Sequence, residues 1–266
     1  MIDFPRKERY DISDLRRVME LLRSEDGCPW DRVQTHESIR RDLLEETYEA
    51  AEAIDLRDPV LLREELGDVL LQVIFHARIE EEAGRFDFDD VVSDVCVKLL
   101  IRHPFVFGEE QAGSTDEVLQ SWERVKNQVK GTGSHTETLE LVPKTYPALM
   151  RAQKVQKRAA AAGFGLKDCA AAREDLLTEL QELEEARASG EDAAIRDEMG
   201  DLLFACVNLA RHLGLDAEEA LTFSTGKFIT RFRRAEALTR EAGIDLAQAD
   251  DDQRRQWWQL AKQSEK

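Results

Sequence analysis

The sequence has few residues that interrupt regular structure and few that form covalent or soft-metal cross-links. Only 14 Gly and 6 Pro occur among its 266 residues, which excludes collagen-like and low-complexity chains. Its four cysteines are far apart and form no C-x-x-C pair: Cys28, Cys96, Cys169 and Cys206. This spacing argues against a disulfide framework and a zinc site, and it fits a reduced cytoplasmic protein.

Positive charge and long apolar runs are also scarce. The chain has 37 Lys and Arg against 55 Asp and Glu, a formal net charge of -18. Such a surface repels a phosphate backbone, so a nucleic-acid partner is not expected. No apolar run approaches the roughly 20 residues that cross a bilayer, and the first residues, MIDFPRKERY, lack the apolar stretch of a signal peptide. We therefore expect a cytoplasmic protein without a membrane partner.

Helical periodicity is the dominant pattern in the sequence. Segments rich in Ala, Leu, Glu and Arg place apolar residues at helical spacing, and no sustained alternation of β-branched residues predicts a sheet. The fold class is predicted to be all-α. The stretch 131–146 combines Gly, Ser, Thr and Pro with little periodicity. It is predicted to be a linker between two helical modules, 1–130 and 147–266.

The two modules are predicted to be tandem repeats. REELGDVLLQVIFHAR in the first half matches RDEMGDLLFACVNLAR in the second in size and polarity. Acids recur at a constant displacement of 133 residues: Glu46, Glu49, Glu65 and Asp68 as Glu179, Glu182, Glu198 and Asp201. Two further pairs recur at displacements of 129 and 136: Lys98 and Arg102 as Lys227 and Arg231, and Trp122 and Lys126 as Trp258 and Lys262.

The repeated acids form a pattern that surface ion pairs do not explain. Residues three apart share a helix face, so each half presents two carboxylate pairs from consecutive helices. None of the eight acids has a Lys or Arg three or four residues away. Converging carboxylates without bases repel one another, so we expect them to bind a cation. Gly67 and Gly200, inside the same helices, are predicted to allow close backbone packing at the site.

The ligand types indicate which cation. Oxygen ligands without Cys or His favour a hard divalent ion, and Mg²⁺ is expected because it also accepts waters and substrate phosphates, with Mn²⁺ as the other possibility. A di-iron bundle would need Glu-x-x-His pairs, and no histidine has a Glu three residues before it. P-loop, dinucleotide-binding and H-E-x-x-H motifs do not occur in the sequence.

These acidic motifs resemble those of a known family. E-E-x-x-E within LLEETYEA, followed by E-x-x-D within EELGDVL, is similar to the all-α nucleotide pyrophosphohydrolases of the MazG family. CPWD, RHPFVF and RAQKVQKRAAAAGF extend the resemblance over nearly the whole chain, as in a full-length, two-module MazG protein. The resemblance implies Mg²⁺-dependent hydrolysis of nucleoside triphosphates to the monophosphate and pyrophosphate, and it implies oligomers of packed helical modules.

The resemblance also implies roles for individual residues. The eight repeated acids would bind metal, and Glu46 and Glu179 would also take part in catalysis. The residues implied to contact substrate are Lys98, Arg102, Trp122, Lys126, Lys227, Arg231, Trp258 and Lys262. A Lys and an Arg four residues apart can hold phosphate oxygens from one helix face. Ordinary surface charge is the alternative for these bases, and core packing is the alternative for the two Trp residues.

One position departs from the family pattern. Thr178 stands where the first half has Glu45, which is a further catalytic candidate. The second half therefore lacks a fifth carboxylate that could hold a second metal ion or activate water. We expect both halves to bind Mg²⁺ and at least one to hydrolyse triphosphates, and the first half is the more complete.

The sequence thus predicts a nucleoside triphosphate pyrophosphohydrolase with broad base tolerance, acting as a homodimer or a higher homo-oligomer. The alternative is a catalytically silent helical module that binds nucleotides or regulates a protein partner. A structural scaffold is the third possibility. The intact acids in both halves weigh against the alternatives.

Overall fold

The computed structural model describes residues 2–108, 114, 134–244 and 249–263. Within these ranges all regular secondary structure is helical, which confirms the predicted all-α fold. The chain divides into two compact units, Met1–Lys130 and Gly131–Lys266. The division coincides with the start of the predicted linker, but part of that segment, His135–Glu140, is a helix. The linker bounds 131–146 stay a prediction.

The first unit is organised around one helical hairpin. Its described helices are α1 (Ile12–Arg23), α2 (Pro29–Arg32), α3 (His36–Leu56), α4 (Pro59–Glu82), α5 (Phe88–Arg102) and α6 (Pro104–Phe107). The long helices α3 and α4 pack against each other, and α1 and α5 contact α4. Four buried side chains from three helices form the core: Met19, Ile39, Ile74 and Phe75.

Capping residues determine where the hairpin helices begin and end. Thr35 and Ser38 form a capping box at the start of α3. Arg57, with φ 55°, ends α3 in the left-handed conformation. Asp58 then accepts hydrogen bonds from two backbone amides of α4, and Pro59 occupies the first helical position, where no amide proton is needed. The short Arg57–Asp58 turn therefore fixes the closed end of the hairpin.

A hydrogen-bonded network holds the open end of the same hairpin. We call it the histidine network, and it consists of His36, His76, Glu80 and Arg85. His36 Nδ1 lies 2.7 Å from His76 Nδ1, and His36 Nε2 lies 2.5 Å from Glu80 Oε1. The Arg85 guanidinium donates two hydrogen bonds to the Glu80 carboxylate. Arg85, followed by His36, lowers the pKa of Glu80 to about 2.

This low pKa predicts a pH-dependent stability. Glu80 titrates near pH 4.5 when unfolded and near 2 when folded, so its contribution is complete above about pH 5 and is lost as the pH falls toward 2. Glu80→Gln should lower the urea midpoint at pH 7, and the gap to the unsubstituted protein should narrow progressively as the pH falls below 5 toward 2. A gap that stays constant with pH would contradict this account.

The second unit repeats the hairpin. Its described helices are α7 (His135–Glu140), α8 (Ala148–Ala161), α9 (Cys169–Ser189), α10 (Asp192–His212), α11 (Ala217–Glu241) and α12 (Asp251–Gln263). The helices α9 and α10 pack together, α8 contacts α10 and α11, and α12 packs on α11. Gly190, with φ 74°, ends α9. Gln156 Nε2 donates to the Phe204 carbonyl and so joins α8 to α10.

Small residues are buried in this second hairpin. Ala172 in α9 and Ala205 in α10 are 0% and 2% exposed. Side chains of this size allow neighbouring helix backbones to approach closely. As for membranes, no described helix of either unit is long and apolar enough to span one.

Candidate metal centre

Three glutamates of the first hairpin converge. One carboxylate oxygen each from Glu46, Glu49 and Glu65 lie within 4.8 Å of one another. Glu46 and Glu49 lie three residues apart on α3, and Glu65 comes from α4. Glu65 is only 8% exposed, as its apolar neighbours on the helix predict. We call these three residues the first triad.

The second hairpin forms the same arrangement at the repeated positions. One oxygen each from Glu179, Glu182 and Glu198 also lie within 4.8 Å of one another. Glu179 and Glu182 come from α9 and Glu198 from α10. We call these residues the second triad. The structure therefore brings together six of the eight predicted metal ligands, in two groups of three.

Burial and neighbouring acids raise the pKa values of two carboxylates of the first triad. Burial, followed by the charges of Asp68, Glu49 and Glu65, raises the pKa of Glu46. Burial and then Glu49 raise the pKa of Glu65. In both residues burial and the neighbouring acids disfavour the charged form.

The second triad behaves in the same way. Burial and then Glu182 raise the pKa of both Glu179 and Glu198, and the Asp201 charge raises them further. A bound cation would remove this penalty in each triad by favouring the ionised carboxylates.

Asp68 and Asp201 lie beside the triads. Neither aspartate is a member of a triad. The Asp68 charge nevertheless raises the pKa values of Glu46 and Glu65. The Asp201 charge likewise raises the pKa values of Glu179 and Glu198. Each aspartate follows its buried glutamate by three residues, so the two share a face of the same helix. They are therefore placed to complete or extend a coordination shell.

The triads suit a hard divalent ion. Opposite ligands of an octahedral Mg²⁺ are about 4.2 Å apart, twice the Mg–O distance, and neighbouring ligands are closer. The triad oxygens already lie within 4.8 Å of one another, so small side-chain rotations can bring them to the spacing of octahedral ligands. All the ligand atoms are carboxylate oxygens, which favours Mg²⁺ or Mn²⁺ over softer metals.

Glu45 and Thr178, which differ between the halves, both interact away from the triads. Arg41 Nε donates to Glu45 Oε1 at 2.8 Å, and the Glu45 side chain is 49% exposed. The Thr178 hydroxyl donates to the Glu174 carbonyl one turn earlier in α9, at 3.2 Å. The catalytic role of Glu45 stays a prediction.

The prediction of close packing at Gly67 and Gly200 is wrong for the described part of the chain. A Cβ placed on either glycine would meet no described atom within 4 Å. Both glycines are exposed and lie between a triad glutamate and the neighbouring aspartate. The helices are therefore open at these positions instead of closely packed.

The predicted phosphate-binding bases lie on the helices that follow each hairpin. Lys98 and Arg102 are in the last turns of α5, and Lys227 and Arg231 are in the middle of α11. Lys227 Nζ lies 5.3 Å from the ring centroid of Phe223, one turn earlier. These bases thus come from a third helix of each unit.

The predicted nucleotide contacts can be located in the second unit. Trp258 is half-buried on α12, and its ring centroid lies 5.1 Å from that of Phe228 on α11. Lys262 is exposed one turn later. The sequence analysis did not single out Phe228 and Phe223 as neighbours of the predicted substrate contacts. Their positions next to Lys227 and one turn before it could have indicated them. The equivalent pair of the first half, Trp122 and Lys126, lies outside the described residues.

Two helical hairpins, each with a carboxylate triad at repeated positions, define an all-α protein with duplicated candidate metal centres. Residues 34–107 and 169–235 match the MazG nucleotide pyrophosphohydrolase domain. Both matched segments include a complete triad. The chain therefore belongs to the MazG family.

Curated relatives match over almost the whole chain. The chain is 42% identical to the nucleoside triphosphate pyrophosphohydrolase of Escherichia coli K12, over 96% of this chain and 98% of the relative. It is also 42% identical to the nucleoside triphosphate pyrophosphohydrolase/pyrophosphatase MazG of Thermotoga maritima, over 94% and 95%. It is 40% identical to the uncharacterized protein YabN of Bacillus subtilis, over 97% of this chain and 53% of that protein.

Proposed function

We propose that this protein hydrolyses nucleoside triphosphates to the monophosphate and pyrophosphate with Mg²⁺, or Mn²⁺, as cofactor. The observation that carries the proposal is the pair of carboxylate triads, each formed by three converging oxygens from residues with no Lys or Arg three or four positions away in the sequence. Family membership supports the reaction, as do the activities for which the Escherichia coli and Thermotoga maritima relatives are named.

The metal centre holds the triphosphate in this proposal. In the first half the cation would be held by the first triad, with Asp68 beside it. In the second half it would be held by the second triad, with Asp201 beside it. A bound divalent ion supplies charge neutralisation at the phosphates and polarises a water nucleophile. Carboxylate oxygens left free by the cation, those of Glu46 and Glu179 in particular, can accept the proton of that water.

The remaining residues would bind the substrate. Lys227 and Arg231 lie four residues apart on α11, so both can reach phosphate oxygens from one face. Trp258 and Lys262 on α12 are proposed to contact the nucleoside, with the Phe228 ring supporting Trp258. In the first half, phosphate binding would fall to Lys98 and Arg102. Contact with the nucleoside there would fall to Trp122 and Lys126. Stacking does not select a base strongly, so we expect broad base tolerance.

Product analysis tests the reaction. The protein should release equal amounts of monophosphate and pyrophosphate from ATP, GTP, CTP and UTP when Mg²⁺ is present. Release of orthophosphate and the diphosphate would contradict cleavage between the α and β phosphates. Saturable triphosphate binding without any product would instead favour the silent regulatory module.

Metal removal should abolish turnover and leave the fold intact. The helices have their own apolar core and caps, whereas the cation mainly offsets repulsion among the carboxylates. EDTA should therefore remove pyrophosphate release, and excess Mg²⁺ should restore it, while the far-UV circular dichroism stays constant. Loss of helical signal with EDTA would show that the metal is structural.

We also propose that the protein is a homodimer or a higher homo-oligomer. Within the described part of the chain, α5 exposes apolar side chains on several sides: Val92, Val95, Val97, Leu99, Leu100 and Ile101. The α11 helix exposes Leu221, Phe223, Phe228, Ile229 and Phe232. Apolar patches of this extent are usually covered by a partner.

Light scattering measures this assembly. One chain has a mass of 30.4 kDa, so a dimer should scatter as twice that mass or more across micromolar concentrations. Leu100→Glu, on the exposed face of α5, should shift the mass toward that of one chain. A single-chain mass for the unsubstituted protein at every concentration would contradict the proposal.

The location of the protein is proposed to be the cytoplasm. The four cysteines are free in the structure, which is compatible with a reducing compartment. Its substrates, nucleoside triphosphates, are also cytoplasmic metabolites.

A further inference from the structure

The first hairpin continues its polar face beyond the metal-binding acids. Four polar residues of α4 follow one another at four-residue intervals and so share one helix face: Asp68, Gln72, His76 and Glu80. The residues 133 positions later are Asp201, Ala205 and Leu209 in α10, and Leu213, which follows the last residue of α10. Only the aspartate is therefore kept in the second hairpin. The first hairpin places buried polar groups where the second has apolar side chains.

A pair of histidine rings lies on this polar face of the first hairpin. The rings of His36 and His76 are parallel within 10°, with centroids 5.0 Å apart. Their Nδ1 atoms are 2.7 Å apart, a distance that requires one nitrogen to donate and the other to accept. Glu80 orients His36 through its other ring nitrogen, and Arg85 in turn holds Glu80.

The histidine pair and the first triad lie along the same interface between α3 and α4. His36 precedes Glu46 by ten residues, and His76 follows Asp68 by eight, which are about 15 and 12 Å along the helix axes. The turn at Arg57 and Asp58 closes the other end of the hairpin. The acids therefore lie between two points at which the helices are joined.

Joining both ends matters because the acids push the two helices apart. Glu46 and Glu49 on α3 lie close to Glu65 on α4, and none of the three has a Lys or Arg three or four residues away in the sequence. A slip of one helix past the other by a single turn would separate the ligands by about 5.4 Å, which exceeds the reach of one cation. The register of α3 on α4 thus decides whether the triad can bind metal.

The second hairpin has small buried residues at two positions where the first has larger ones. Ala172 in α9 and Ala205 in α10 are 0% and 2% exposed. The corresponding positions in the first hairpin are occupied by the larger Ile39 and Gln72. A hydrogen bond is directional, so it can help to set the register of two helices.

We propose that His36 and His76 are positioning residues that hold the first triad in metal-binding register, whereas the second triad does not depend on such a pair. The inference rests on the proposed metal-binding function of the triads. Neither histidine touches substrate or metal in this proposal. Their hydrogen bond, oriented by Glu80 and Arg85, acts through the register of α3 on α4.

Two variants of His76 separate the hydrogen bond from simple packing. His76→Leu introduces the residue found at the repeated position 209, so the same hairpin architecture tolerates it. His76→Asn keeps an amide atom near the position of Nδ1 and can retain the bond to His36. Both are made in the full chain, in one background with Glu182→Gln and Glu198→Gln and in another with Glu49→Gln and Glu65→Gln. Each background retains one intact triad.

Mn²⁺ binding, followed by the electron paramagnetic resonance of the free ion, is the first measurement. His76→Leu should weaken binding at the first triad by about tenfold, the usual size of an indirect effect on a metal site. His76→Asn should remain within about threefold of the unsubstituted residue at that site. Binding at the second triad should be unchanged by either substitution. Unchanged binding in His76→Leu, or equal losses in both variants, would overturn the proposal.

Hydrogen exchange without metal is the second measurement. His76→Leu should accelerate amide exchange by about tenfold in peptides covering residues 46–49 and 65–68, and should leave 179–182 unchanged. Equal exchange in the two proteins would overturn the positioning role. If the unsubstituted protein bound no Mn²⁺ at all, the proposed function would fail, and hydrogen exchange would still decide the role of the histidines.

Discussion

Glu49→Gln combined with Glu182→Gln should lower pyrophosphate release by about 100-fold or more, because it removes one proposed metal ligand from each triad. Glutamine keeps the size of the side chain but loses the charge that attracts a divalent ion. Both residues are exposed, so the helices should form normally. The rate is measured by pyrophosphate release with saturating Mg²⁺, and the fold by circular dichroism.

The chain offers a matched control for this variant. Glu52 and Glu185 lie three residues further along α3 and α9, are exposed, and belong to neither triad. Glu52→Gln combined with Glu185→Gln removes the same charge from the same helices, and it should keep the rate within about threefold, since surface charges away from a site act weakly. Near-normal turnover by Glu49→Gln with Glu182→Gln would remove the metal hypothesis.

Glu46→Gln and Glu179→Gln, made separately, should show how catalysis is divided between the halves. Each substitution should remove one of the two Mn²⁺ sites of the chain, because the triads are built alike. We expect at least one of them to remove most of the pyrophosphate release, and we expect the larger loss for Glu46→Gln. The reason for that preference is Glu45, which has no counterpart in the second half.

Glu45→Gln tests that reason directly. If Glu45 takes part in the reaction, the substitution should lower the rate of the first half while both Mn²⁺ sites persist. Its ion pair with Arg41 would then have to open during turnover. A full rate in Glu46→Gln with no rate in Glu179→Gln would show that the second half is the catalyst and that the leading glutamate is dispensable.

The recurring spacing of the acids made the carboxylate groups predictable from sequence. Pairs such as Glu46 and Glu49 are neighbours in any α-helix, and the same spacing occurs in both halves. The absence of bases three or four residues away predicted that these acids bind a cation, and this stays a prediction. Gly67 shows the limit of this reasoning, because a recurring glycine was taken to indicate close packing, and the described chain is open there.

Side-chain interactions within one helix were harder to predict than the helix itself. Glu45 could turn toward the triad or toward Arg41, and both choices are compatible with the sequence. The structure shows the ion pair with Arg41. Likewise, the Thr178 hydroxyl bonds to the Glu174 carbonyl. Rotamers decide such choices, and competing partners at similar distances differ by small free energies.

The sequence by itself determined that the chain is helical, that its two halves repeat, and which carboxylates share a helix face, because these properties depend on residues a few positions apart. Only the tertiary structure decided that Glu65 meets Glu46 and Glu49 across a hairpin, and that His36 meets His76 forty residues later. Such contacts depend on the register of two packed helices. That register is set by the summed packing of many side chains and by the turn that joins the helices, and no local pattern encodes it.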